Sequence, residues 1–260
     1  MARRFKNVTC RRDLSLIALS RSMTHEPTHF AQELQALRDR VLVMGRVAER
    51  RVRAALQGLT TRNRDTLDEV IAGDRQLNDL QIDIDERCFT LLALFHPVAV
   101  DLRAIVAALR INTDLERVGD LAVNIAEAAQ RYLTHPPVKP LVDLPRMGDL
   151  ALTMLRDSLH AFVAMDAAAA HSVLQQDQWL DVLNKQILRE LLTYMYGNSS
   201  LIEPSMDLIL TARHFERIGD HATNIAEDVI FLIQGRDVRH RSGQPPREGE
   251  RRHRIDTPTV

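Results

Sequence analysis

A twelve-residue stretch occurs twice, 100 residues apart, and no other feature of the chain constrains its fold so strongly. Residues 116–127 read Glu-Arg-Val-Gly-Asp-Leu-Ala-Val-Asn-Ile-Ala-Glu, and residues 216–227 read Glu-Arg-Ile-Gly-Asp-His-Ala-Thr-Asn-Ile-Ala-Glu. Nine of the twelve positions are identical and two more are β-branched in both copies. A repeat of that kind makes the chain two copies of one supersecondary unit, so whatever these residues do is done twice.

Around the repeat, apolar residues recur at three- and four-residue intervals, the mark of helices that bury one face. Phe30, Leu34, Leu37, Val41, Met44, Val47, Val52, Leu56 and Leu59 line a first helix that breaks at Thr60–Asn63. A second, from about Asp65 to Phe95, turns Val70, Leu77, Leu80, Ile84, Cys88, Leu91 and Leu92 inward and stops at His96-Pro97. The third, Ala99 to Leu133, carries the first copy of the repeat. Four prolines within residues 136–145 then interrupt helical structure. The plan resumes with helices over Arg146–Met165, Ala167–Tyr196 and Met206–Ile233, with Gly197–Pro204 as the last turn. Met44, Met147, Met154, Met165 and Trp179 read as packing residues. The expected fold is all-α: two tandem three-helix bundles over residues 30–134 and 146–235, joined by a Pro-rich linker at 135–145.

Charge separates the body from its ends. Residues 1–29 hold six Arg/Lys against two Asp/Glu, and residues 236–260 hold seven against four, so a formal net charge of -1 leaves -8 on the body. An acidic body argues against a nucleic-acid groove, and both basic segments read as solvated extensions without a fold of their own. The apolar run Leu14–Leu19 is too short for a membrane span or a signal peptide, and Met23 is a candidate working start. Two cysteines, Cys10 and Cys88, supply no disulfide framework, which fits a reducing cytoplasm.

On a helix, residues i and i+4 project from one face about 6 Å apart, so Glu116 with Asp120 and Glu216 with Asp220 are repelling carboxylate pairs. A hard cation held by their oxygens would relieve the repulsion. The preceding helix of each unit supplies facing donors: Asp177 and Asp181 in the second, Asp74 and Asn78 in the first, with Asp79 and Asp83 as further candidates. Gly119 and Gly219 each cost a helix about 1 kcal/mol against alanine, which close approach of a partner helix or a ligand would explain. Asn124 and Asn224 continue the polar stripe as groups that bind or position a ligand. His221 is either an added ligand or an incidental surface histidine. No catalytic triad, phosphate-binding loop or zinc-protease pattern is present, so the chain reads as a non-enzyme. A ferritin-like oxidase or metal-storage bundle is the alternative, but it needs Glu-x-x-His pairs on core helices: Glu26 to His29 contains Pro27, and Glu250 to His253 lies in the basic C-terminal segment.

The duplicated motif, the Gly73-Asp74-x-x-x-Asn78 segment and Pro97-x-x-x-Asp101-Leu102-Arg103 together resemble the PhoU family of phosphate-signalling proteins over about residues 30–240. That resemblance implies multinuclear clusters of iron, zinc, manganese or magnesium on Asp74, Asn78, Glu116 and Asp120 in unit one and on Asp177, Asp181, Glu216 and Asp220 in unit two. It also implies a homodimer, and a cytoplasmic place at the inner face of the membrane through its partners, with no membrane span of its own. The implied role is a negative regulator of phosphate uptake and starvation signalling, an adaptor between the phosphate transporter ATPase and its sensor histidine kinase.

Overall fold

The computed structural model describes residues 29–73 and 75–236, and every regular element among them is helical. The expectations for Asp74, Cys10, Met23 and both basic extensions lie outside the described residues. In order come α1 (His29–Thr61), α2 (Arg64–Ala72), α3 (Arg75–Phe95), α4 (Ala99–Leu133), α5 (Asp143–Ala164), α6 (Ala167–Gly197), a 3-10 turn at Ser199–Leu201, and α7 (Ile202–Gln234).

Local chemistry sets most of these ends. The Asn63 side chain accepts from Thr66 N–H at the start of α2, and Asp166 accepts from Ala168 and Ala169 N–H at the start of α6. Gly235, at φ 66°, closes α7 with its N–H on Phe231 O. Arg62, at φ 53°, turns the chain out of α1; its guanidinium donates to Leu133 O and His135 O at the end of α4 and lies over the Tyr132 ring.

Three boundaries differ from those read in the sequence. The expected second helix is two, α2 and α3, broken after Gly73, whereas its counterpart α6 runs unbroken with Gln176 at the matching place. A glycine relaxes the helix there. Both α5 and α7 begin three residues earlier than expected or more, with Pro145 and Pro204 inside their first turns. Proline is tolerated there because the first N–H groups have no helical acceptor to lose.

α1 to α4 pack as one unit and α5 to α7 as the other, and α4 lies antiparallel against α7 and α1 against α5, so that the buried apolar side chains form one continuous core. The α1–α5 contact is reciprocal: Leu159 fills the space a Cβ on Gly45 would need, and Leu56 fills the space at Gly148. Both residue types recur at an offset of 103, so the two units face each other much as the halves of a symmetric dimer do. Along α4–α7, Arg131 pairs with Asp207 and Arg110 with the wholly buried Asp228. Of the residues expected inside, Trp179 is the clear exception at 69% exposed: α6 turns Leu180, Leu183 and Ile187 inward, and position 179 falls outside that stripe. Met165 is the cap residue that ends α5, at φ 52° and only partly buried.

The repeated glycines have a packing cause. A Cβ on Gly119 would meet Leu77 Cδ2 at 2.0 Å, and one on Gly219 would meet Leu180 Cδ2 at 2.2 Å. Gly219→Ala is expected to destabilise the chain by about 1–2 kcal/mol through overpacking. In a Leu180→Ala background the same change is expected to stabilise by up to ~1 kcal/mol, since only the better helix propensity remains. Denaturant titration of the four chains measures both signs.

Candidate functional site

Each glycine–leucine contact sits in the middle of the acidic residues. Leu180 lies between Asp177 and Asp181 on α6, and Gly219 lies between Glu216 and Asp220 on α7. Seating one in the other brings the two i, i+4 pairs to a single helix crossing. Electrostatics report their proximity. Asp177 titrates above the ordinary carboxylate range because of partial burial first, then the charges of Asp220 and Asp181. Glu216 is raised by burial, then by Asp220, Asp181 and Asp177, against Arg213. Asp220 is raised by burial, with Asp181 adding to the rise and His221 and Arg217 opposing it. Asp181 also meets Lys185 at 3.6 Å, one turn along the same exposed face.

Unit one repeats the frame with different charges. Leu77 seats on Gly119 with the half-buried Asn78 beside it, opposite Glu116 and Asp120 of α4. Asp79 points to solvent, and Asp83 is already held by Arg40 at 2.7 Å and Arg87 at 3.1 Å. Arg51 stands where unit two has Met154: it is 8% exposed, approaches within 3.8 Å of the Cβ position of Gly119, and donates to Val70 O at the end of α2. The 103-residue offset, once applied to the first helices, would have marked this Arg–Met difference; the motif's own offset of 100 hides it.

The remaining candidates turn elsewhere. His221 is buried between the bundles with Nδ1 at 2.8 Å from Asp114 Oδ1, and Asn224 Nδ2 lies 3.4 Å from the same oxygen. Asn124 is half-buried on α4. His214, the repeat partner of Asp114, is held below its usual range by burial and by Arg217, Arg131 and Arg213. Cys88 is wholly buried, and burial followed by the Asp85 charge pushes its thiol up to about 12.

Among the described residues, no three His, Cys, Asp or Glu side chains are already drawn to the distances of a formed metal site. The donor set nonetheless fits a hard cation. Asp177, Asp181, Glu216 and Asp220 are oxygen donors at one crossing, and burial with the neighbouring carboxylates disfavours the charged forms of Asp177, Glu216 and Asp220.

A duplicated three-helix bundle with an acidic pair on the third helix of each unit defines a class, and sequence comparison places the chain within it. The PhoU domain model matches residues 41–129 and again 144–229, and the chain belongs to the PhoU family. It is 39% identical over 215 residues to the phosphate-specific transport system accessory protein PhoU homolog of Caulobacter vibrioides, covering 82% of this chain and 94% of that one. The homolog of the same name from Aquifex aeolicus is 38% identical over 209 residues, covering 80% and 95%. Among solved structures, PhoU from Pseudomonas aeruginosa superposes with a TM-score of 0.76 at 36% identity, covering 80% of this chain and all of that one. The phosphate transport system regulatory protein PhoU from Streptococcus pneumoniae gives 0.75 at 30% identity, covering 80% and 99%.

A carboxyl whose titration is raised on folding penalises the folded state fully above its folded pKa, and the penalty vanishes below its unfolded one. Without metal, Asp177→Asn or Asp220→Asn is therefore expected to raise Tm at pH 7 by ~1 °C, from about 0.3 kcal/mol of relieved repulsion. The advantage over the unsubstituted chain should shrink as pH falls through the carboxylate range toward about 4. Calorimetry in chelator across that range checks the sign.

Proposed function

We propose that the chain is a non-catalytic regulator of phosphate transport, an accessory to a phosphate-specific transporter, whose two acidic helix crossings hold metal ions. Membership of a family whose relatives are named for that role supports the first part. The observation that carries the second is the convergence of Asp177, Asp181, Glu216 and Asp220, each of the three shifted carboxyls raised in part by the others. A bound cation would supply the missing positive charge and lock the second helix of each unit to the third. In unit one Glu116, Asp120 and Asn78 are the described donors, and Asp74 is the expected fourth.

Among the described residues no helix is long and apolar enough to cross a membrane. The finer reading is a cytoplasmic adaptor, working as a homodimer between transporter ATPase and sensor kinase and restraining uptake when phosphate is plentiful. Deleting the gene should then raise phosphate uptake and stored polyphosphate in phosphate-rich medium; uptake equal to the parent strain would contradict the role.

Metal occupancy should differ between the units. Asn78 removes one carboxylate from unit one, and Arg51 adds a buried cation beside it, so unit two is expected to keep metal longer in dialysis. Replacing Glu216 and Asp220 by Lys should remove that share of bound metal with the helical signal intact, and Asn78→Asp or Arg51→Met should narrow the gap. Elemental analysis of each variant decides; an unchanged metal count after the double replacement would exclude the site.

A further inference from the structure

We propose that the apolar run Leu14–Leu19 of the N-terminal segment docks, within the same chain, into an open groove between the start of α1 and the end of α3. The groove has a volume of about 340 Å³ and is lined by Glu33 and His29 on one side and Glu86, Leu91, Leu94 and Phe95 on the other. Its lip is apolar and open to solvent at Leu94, which is 68% exposed. It lies at the opposite end of α3 from Asn78, away from the metal candidates.

Three observations choose this occupant. The chain arrives at the groove itself, because His29 both opens α1 and sits edge-on to Phe95 at 5.8 Å. Leu19 is ten positions before His29, a tether of up to about 33 Å, which makes the local concentration of the segment high. Second, the two surfaces are complementary. Leu14, Leu16, Ile17 and Leu19 are flanked by Arg11, Arg12 and Arg21, while Glu33 and Glu86 have no ion pair among the described residues and the lining Arg87 is held by Asp83 at 3.1 Å.

Third, the repeat contains a precedent. In unit two the chain leading into α5 lies along the corresponding face of α6: Lys139 pairs with Glu190, and Leu141 packs beside Leu144, Ile187 and Leu191. Asp83, Glu86, Arg87 and Thr90 of the unit-one groove correspond by position to Gln186, Arg189, Glu190 and Thr193, which line an open pocket beside that contact, with the acid and the arginine exchanged. In unit one the early turns of α1 occupy the inner part of this face, and the part beyond His29 stays open.

Disulfide capture in the full chain tests the proposal. With Cys10→Ser and Cys88→Ala as background, Leu16→Cys paired with Leu94→Cys should close an intramolecular bond at least ~10-fold faster than Leu16→Cys paired with Tyr196→Cys, a site 91% exposed on another helix. Equal rates would overturn docking, and a bond formed only between chains would assign the groove to a second copy instead. Trypsin supplies a readout without new cysteines: cleavage after Arg12 and Arg21 should accelerate at least ~5-fold in Leu94→Ser or in Ile17→Asp. Cleavage rates unchanged by both substitutions would overturn the proposal independently.

Discussion

One leucine seated on one glycine, made twice, is the contact on which the rest of this molecule depends. Leu77 on Gly119 and Leu180 on Gly219 set how near the second helix of each unit comes to the third. A side chain at either glycine would hold the helices apart, and the carboxylates on each side would face water instead of one another. The contact thus couples apolar packing, which favours the fold, to carboxylate crowding, which opposes it. That opposition is what leaves each crossing suited to a cation.

The two units are similar where they make this crossing and different where they face each other. Arg110–Asp228, Arg131–Asp207 and Asp114–His221 all bridge α4 and α7. The repeat equivalents of these six residues are Leu210, Ala128, Phe231, Ala107, His214 and Leu121, none of them a carboxylate or an arginine. The ion pairs therefore lie on one side of the pseudo-symmetry axis only, and removing one partner there would leave a buried charge unpaired. Arg51 against Met154 extends that divergence into the acidic crossing itself.

The helical architecture was legible because amphipathic periodicity reports burial directly: Leu37, Val41, Met44, Leu77, Ile84 and Leu91 are all buried. The acidic pairs were legible from spacing on a helix. The break after Gly73 was not, since a glycine inside a periodic run ends a helix only when tertiary packing leaves it free to, and Gly119 and Gly219 stay helical under their leucines. The role of His221 was hidden for a related reason: its partner Asp114 is 107 residues away on another bundle, and only the docking of α4 on α7 joins them. Trp179 misled because residue type outweighed its position outside the stripe of α6.

The central claim is that the repeat builds two cation sites at the two glycine–leucine crossings. Anomalous diffraction at the absorption edge of iron, zinc or manganese, on crystals grown with the metal and without chelator, tests it most directly. The account predicts anomalous density at both crossings, against Glu216 and Asp220 in one unit and Glu116 and Asp120 in the other, with the higher occupancy in unit two. Metal found elsewhere, with both crossings empty at a saturating concentration of each ion, would contradict it.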